Sequence, residues 1–387
     1  MNDDAEARGN ATVPVTVVLF AFRQAGLVAD AVRGIYAQTV QPAEIILSDD
    51  GSPDGTADVL TALAAEYRGP ARVVVRRDQP NRGWFAHINA CVALARHDWI
   101  LVCAGDDVSL PQRLGRFWTE AQKAPEVKLW WSLMERMEAG GRRTGRTFGL
   151  REYRPGVLRG IGASQFWHRD LFSKLGALPE VQAAEDIVLP FRACLLGGAR
   201  LIAEPLVAWR DRDYRMLDRR QLDWTYEVRA TVFRKNAAQV HAADLAACRA
   251  LNATAGPEMD AIAARVGRSM RAADAEHRVV TAPTAWGRAA LLLRLLPAVG
   301  FKRARRIAMD RVLGLPVYLE SAYPRGLRRG LPKLSGVLVA IATVWLLPDG
   351  WSWWEKAVAG LVALALGISL TRLAMRLAVG TLWRPAA

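Results

Sequence analysis

The chain has 387 residues, of which 51% are hydrophobic and 23% charged, and a formal net charge of +14. That length and composition provide one large domain with a sizeable buried core plus an appendage, and they exclude a chain too polar to fold. The positive excess points to an anionic partner. It is concentrated between residues 281 and 330, where ten arginines and lysines are opposed only by Asp310 and Glu320.

Residues 1–12 are polar and acidic and are expected to be disordered. They have neither the basic start nor the apolar stretch of a secretory signal, so a cytoplasmic catalytic part is expected. Strands and helices then alternate. Val15–Ala21 is a short apolar run of strand length. Leu27–Gln38 places Leu27, Val28, Ala31, Val32 and Ile35 on one helical face. Glu44–Ser48 predicts a strand, Thr56–Tyr67 a helix, Arg72–Arg76 a strand, Phe85–Ala95 a helix and Trp99–Cys103 a strand. Such alternation implies βαβ units and an α/β fold: a Rossmann-like, mainly parallel sheet sandwiched by helices. Ligands of such sheets bind outside the carboxyl ends of the strands.

Beyond Pro111 the pattern loosens. Gln112–Lys123 reads as helix, Lys128–Met134 as strand, and the Gly- and Arg-rich Glu138–Arg146 as loop. Asp170–Leu175 and Ile187–Leu196 read as short helices around the acidic pair Glu185–Asp186. Cys91, Cys103, Cys194 and Cys248 sit in apolar stretches at no metal-ligand spacing and read as reduced core cysteines. The domain boundaries that follow are a catalytic domain at 13–215, a helical region at 216–330 and a hydrophobic hairpin at 331–387.

The hairpin consists of Leu334–Leu347 and Ala357–Leu370 around a turn bearing Trp351, Trp353 and Trp354. Fourteen helical residues span roughly 21 Å against a ~30 Å hydrocarbon core, so crossing requires both helices to be extended at their basic ends. Arginines at both ends place those ends in the cytoplasm. A re-entrant hairpin or a soluble helical pair fits the same pattern. Upstream, Trp286–Leu319 interleaves leucines with arginines at helical spacing, as in a basic amphipathic helix lying on anionic lipid. No module for nucleic acid accompanies this charge.

The most specific signal is Glu44–Thr56, a hydrophobic strand that ends in Asp49–Asp50 and turns on Gly51 and Gly55. A carboxylate there can accept hydrogen bonds from a ribose hydroxyl or a base N–H. Asn81-Arg-Gly83 opens the third helix. A second buried strand, Trp99–Cys103, leads through Ala104–Gly105 to Asp106–Asp107, a hard oxygen pair suited to Mg²⁺ or Mn²⁺. The competing reading of each cluster is ordinary: an Asp-Gly turn before a helix, and an acidic pair on a helix macrodipole at Glu185–Asp186.

With these motifs, residues Val13 to Trp209 resemble glycosyltransferase family 2, whose catalytic domain has the nucleotide-diphospho-sugar transferase (GT-A-type) fold. The family's Asp-Asp-Gly-Ser-x-Asp-Gly-Thr segment is intact at Asp49–Thr56, its Asp-x-Asp-Asp motif reads Ala104-Gly105-Asp106-Asp107, and its Glu-Asp pair matches Glu185–Asp186. Phe20 stands for the usual proline and Arg23 for the usual asparagine. The Tyr-Arg-x-His-like segment appears as Ala208-Trp209-Arg210-Asp211. The resemblance implies Ala21, Phe22, Asp49, Asp50, Gly51, Asn81, Gly83 and Asp106 at the nucleotide sugar, Asp106 and Asp107 at the metal, and Asp186 as the base, assisted by Glu185. It also implies inverting transfer of one sugar from a UDP-, GDP- or dTDP-linked donor to a lipid-linked or glycan acceptor at the cytoplasmic membrane. The alternatives are transfer onto polyprenyl phosphate and a catalytically silent, membrane-anchored nucleotide-binding partner. His168 is a further candidate for the acceptor cleft.

Overall fold

The computed structural model describes residues 12–149, 162–181, 183–211, 224–251 and 257–284, with isolated positions beyond 284. The N-terminal tail, most of the basic amphipathic segment and nearly all of the hydrophobic hairpin lie outside the described residues. The chain divides into two compact units, one of residues 1–216 with 229–273 and the other of 217–228 with 274–387.

The first unit follows the predicted alternation: β1 (Thr12–Ala21), α1 (Val28–Tyr36), β2 (Gln41–Asp49), α2 (Thr56–Glu66), β3 (Arg72–Arg77), α3 (Trp84–Leu94) and β4 (Trp99–Ala104). These four strands pair in parallel in the order β3-β2-β1-β4. Their near-continuous apolar sequences reflect burial on both faces. Side chains alternate across β1, so Val15, Val17, Leu19 and Ala21 join one core with Val32, Ile35 and Leu60 from α1 and α2. Val18 and Phe20 point the other way and pack with Ile88, Val92, Val188 and Leu189. A one-residue slip of β1 would exchange the two faces, which fixes its register.

The remaining elements are β5 (Val108–Ser109), α4 (Arg113–Lys123), β6 (Leu129–Glu138), β7 (Arg143–Phe148), β8 (Gln165–His168), α5 (Asp170–Ser173), α6 (Glu185–Leu196), β9 (Ala199–Asp211), α7 (Trp224–Leu251) and α8 (Pro257–Thr281). They continue the sheet as β4-β8-β6-β9-β5, with β7 beside β6. Here the sheet is mixed. β8 runs antiparallel to both β4 and β6, whereas β6 and β9 are parallel. The expectation of parallel strands therefore holds for the half from which it was read, and the second half adds antiparallel pairs. The segment Glu138–Arg146, expected as loop, is instead the tip and start of the β6–β7 hairpin, paired at Met134–Phe148 and Glu135–Thr147. Gly141 serves its turn with positive φ, and Gly145, also at positive φ, lies within β7 where the pairing with β6 shifts register.

Two successive antiparallel steps, β4 to β8 to β6, restore the original direction. The carboxyl ends of β1, β2, β4, β6 and β9 therefore all lie on one edge of the sheet. Among the described residues no helix is long and apolar enough to cross a membrane.

Candidate active site

The turn after β2 is built by its own side chains. Asp49 is fully buried, and its carboxylate accepts from the Ser52 N–H at 2.8 Å and from the Ser52 hydroxyl. It shapes the turn and has no exposed surface to offer a ligand. Gly51 has φ +72°, and a Cβ there would lie 2.8 Å from the Asn81 backbone nitrogen. Gly51→Ala is therefore expected to destabilise the fold by at least the ~1–2 kcal/mol of a left-handed non-glycine residue, read as a lower urea midpoint.

That close approach lets the loop before α3 grip Asp50. Asn81 donates from Nδ2 to the Asp50 carboxylate at 2.9 Å and to its carbonyl at 2.8 Å, and the Arg82 N–H donates to the carboxylate at 3.1 Å. The Asn81 side-chain carbonyl accepts from the Gly83 N–H at 3.1 Å, where Gly83 has φ +85°. Burial pushes the Asp50 carboxyl up, helped by Asp78 and Asp49 and opposed by the Arg82 N–H and by Arg76. The Asp50 N–H donates to the Ala21 carbonyl at 3.0 Å, which joins the ends of β1 and β2. Phe22 follows with its ring 41% exposed on this edge. Arg23 holds φ 55°, a conformation that asparagine tolerates more readily, and its N–H bonds the Ser52 hydroxyl at 2.8 Å. Beneath the turn, His87 is buried against the Ser48 hydroxyl at 2.6 Å, and burial pushes its pKa down to about 4, leaving the ring neutral.

The two aspartates after β4 are not equivalent. Asp107 is buried and accepts at Oδ1 from the Arg210 N–H at 3.0 Å, while Asp106 is half-buried. Gly105 lets this turn close onto β1: its N–H donates to the Phe20 carbonyl at 2.9 Å, and a Cβ there would meet the Gln24 side-chain oxygen at 2.3 Å. Among the described residues no three His, Cys, Asp or Glu side chains gather as a complete metal cage.

Sequence reasoning misses Arg113 and assigns no role to Arg210, which it places in the Tyr-Arg-x-His-like segment. Arg210, near the end of β9, is 4% exposed; it donates to the Asp106 carbonyl at 3.1 Å and the Ala139 carbonyl at 2.7 Å, and it pairs with Asp30 at 2.7 Å. Arg113 is fully buried and donates to Val102 O at 2.7 Å, Ala163 O at 2.9 Å and the Ser109 hydroxyl at 2.8 Å. These bonds cross gaps of up to 180 residues, so no local spacing announces them.

Glu185 and Asp186 open α6, where the helix dipole favours acids. Glu185 accepts from the indole N–H of Trp84. Burial raises its carboxyl pKa, against that hydrogen bond and those from the Glu185 and Asp186 backbone N–H groups. Trp84 begins α3, one residue after Gly83, and its ring meets Phe20 edge-on at 5.1 Å. Asp50 and Glu185 are thus linked across one edge through Asn81, Trp84 and their neighbours, and the turn that carries Asp106 joins them through the Gly105 N–H on the Phe20 carbonyl. His168 is not among them. It pairs with Trp99 at the start of β4, on the opposite edge, with Nδ1 accepting from the Asp170 N–H at 3.1 Å.

A mixed α/β sheet whose strand ends carry these acidic turns has a glycosyltransferase-like fold. The Glycosyl transferase family 2 model matches residues 16–172. EpsE of Bacillus subtilis is 31% identical over 105 residues, 27% of this chain and 37% of its own length. ExoU, a succinoglycan biosynthesis protein of Rhizobium meliloti, is 36% identical over 106 residues, 27% of this chain and 30% of its own. The alignments thus cover about a third of the length of these relatives. In structure the chain is similar to S. aureus TarS 1-349 in complex with UDP-GlcNAc, with a TM-score of 0.51 and 13% identity over 76% of this chain and 83% of that one.

Proposed function

We propose that the chain transfers a single sugar from a nucleoside-diphosphate sugar to a hydroxyl acceptor, inverting the anomeric carbon. The observation that carries this reading is the run of contacts along one strand-end edge, from Asp50 to Asn81 and from Trp84 to Glu185 and Phe20, with the Asp106 turn bonded to Phe20 through the Gly105 N–H. Asp50, held by Asn81 and Arg82, presents an acceptor group to a ribose or base, beside the exposed Phe22 ring and the Ala21 backbone. The fold of a chain solved with UDP-GlcNAc supports a UDP-, GDP- or dTDP-linked donor.

Asp106 fits a divalent cation of the Mg²⁺ or Mn²⁺ kind. A half-exposed carboxylate at a strand end, with Asp107 beside it, supplies the one or two carboxylates that such ions take when substrate phosphates complete the shell. When bound, the ion would neutralise the departing diphosphate. Asp186 accepts the acceptor hydroxyl's proton as the new bond forms, and a single displacement inverts the centre. Glu185, fixed by Trp84, orients the acceptor.

The relative named for succinoglycan biosynthesis supports a role in polysaccharide biosynthesis, and the basic and hydrophobic C-terminal sequence favours a lipid-linked acceptor. The basic amphipathic segment and the C-terminal hairpin would then hold the catalytic domain at the cytoplasmic membrane face. The test is a screen of nucleotide sugars with the full chain and Mn²⁺, read by mass-detected hydrolysis and by calorimetry with UDP, GDP and dTDP. One donor is expected to respond. Asp50→Ala is expected to weaken its nucleotide at least tenfold, in line with ~1.5–3 kcal/mol for a charge-assisted hydrogen bond. Absence of binding to all three nucleotides would sink the reading.

A further inference from the structure

A groove of about 370 Å³ opens between the β6–β7 hairpin and the end of β9, lined by Arg136, Glu138, Arg142, Thr144, Arg146 and Asp211. Both β6 and β9 end on the edge that carries Asp50 and Asp106. The groove is also tied to the acidic turn through one residue. Arg210 bonds Asp106 O and, in the hairpin, Ala139 O, while its chain neighbour Asp211 lines the groove.

The lining has three guanidinium groups against two carboxylates. Arg136 pairs with Asp211 at 2.9 Å and Arg142 pairs with Glu138, and all four side chains are 44–72% exposed. Exposed pairs contribute little in water, the bidentate Arg142–Glu138 pair being the better held of the two. Among the described residues the Arg146 side chain makes no hydrogen bond or ion pair. Arg136 is held in place: its guanidinium lies 5.5 Å from the Phe148 ring centre and 5.7 Å from that of Trp209. Contact with this edge-on pair of rings restricts the guanidinium, and its Nη1–H donates to the Asp211 carboxylate at 2.9 Å, the bond an incoming anion would replace. Thr144 adds a hydroxyl, already aligned by donating to the Arg136 carbonyl at 2.9 Å.

We propose that this groove binds a phosphoryl group of the acceptor and so holds the acceptor's hydroxyl end toward Asp186. Three guanidinium groups on one groove suit a tetrahedral phosphoryl oxyanion better than a neutral sugar, because guanidinium forks meet phosphate oxygens in pairs. The proposal rests on the sugar-transfer reading above. The phosphoryl group can belong to a lipid diphosphate or to a polyol-phosphate chain, and the recognition chemistry is shared.

The test uses the full chain saturated with its nucleotide, with citronellyl diphosphate and a glycerol-phosphate oligomer as separate probes. Arg142→Ala/Arg146→Ala alters only exposed side chains, so folding is preserved. The double variant is expected to bind at least one probe tenfold or more weakly, with nucleotide affinity unchanged. The probe affected identifies the source of the phosphate. Wild-type binding of that probe should weaken as salt rises. Unchanged affinity of the double variant for both probes overturns the groove assignment, as does failure of both probes to bind the wild type. A chain that binds a probe through these arginines yet binds no nucleotide overturns the donor reading and leaves the groove standing.

Discussion

Asp186→Asn is expected to slow sugar transfer by about 10²–10⁴-fold, the range for loss of a positioned general base, with nucleotide affinity within a few fold of wild type. The amide keeps the size and hydrogen-bonding reach of the carboxylate but cannot take the hydroxyl proton. The competing role is structural, because Asp186 sits in the first turn of α6, where an acid stabilises the helix dipole. Losing that interaction costs about 0.3–1 kcal/mol of stability and leaves chemistry in the folded protein intact. The two roles therefore separate cleanly when rate and urea midpoint are measured on the same variant. Glu185→Gln supplies the comparison. Glutamine can still accept from the Trp84 indole through its carbonyl, so its effect on rate should be smaller than that of Asp186→Asn. Transfer at the wild-type rate by folded Asp186→Asn would remove the base assignment.

The parallel half of the sheet was legible because burial on both faces makes β1, β2 and β4 nearly pure apolar runs, each closed by a polar turn. β9 gave no such signal. Its thirteen residues contain Glu204 and Pro205, and its pairing with β6 shifts register beside Pro205, so neither alternation nor continuous apolarity survives. β7 is a polar edge strand interrupted by Gly145, and β5 has only two residues. These strands are specified by their neighbours in the sheet more than by their own sequence.

The candidate site divides in the same way. The acidic pairs are visible as pairs, but identical neighbours in sequence give no indication of which one turns inward. Within the first pair Asp49 is bonded by Ser52 and Asp50 by Asn81 and Arg82; within the second Asp107 accepts from the Arg210 N–H. The more exposed member is the second of the first pair, Asp50, at 5% against 0%, and the first of the second, Asp106. Arg113 had no pattern to betray it, and the segment that marks Arg210 gives no sign of the carbonyls it binds, since those come from distant elements.

The largest expected loss of stability comes from Arg192→Ala. Arg192 and Asp244 join the middle of α6 to α7 with side chains only 2% and 4% exposed, through bonds of 3.0 and 2.9 Å. Arg192 also donates to Leu171 O at 2.9 Å and Gly176 O at 2.7 Å. Removing it strands a carboxylate among Phe191, Leu195 and Cys248, for which about 3–5 kcal/mol is the usual cost, a large part of a domain's ~5–15 kcal/mol. The loss should depend on pH. Burial already raises the Asp244 carboxyl pKa, while Arg192 pulls it down. Without Arg192 it rises further, so the folded variant binds a proton more tightly than the unfolded chain does. Stability relative to wild type then recovers as pH falls through that raised pKa, because protonation abolishes the stranded charge. Urea unfolding at pH 7.5 and pH 5.0 should show the smaller deficit at pH 5.0. Arg192→Met combined with Asp244→Leu should regain part of the loss at both values, the remainder reflecting the two carbonyls left without a donor. A deficit under about 1 kcal/mol at pH 7.5, an effect within the range of exposed ion pairs, would mean that water reaches the pair. The same α6 begins with Glu185 and Asp186, so this buried pair anchors the helix that carries the proposed base.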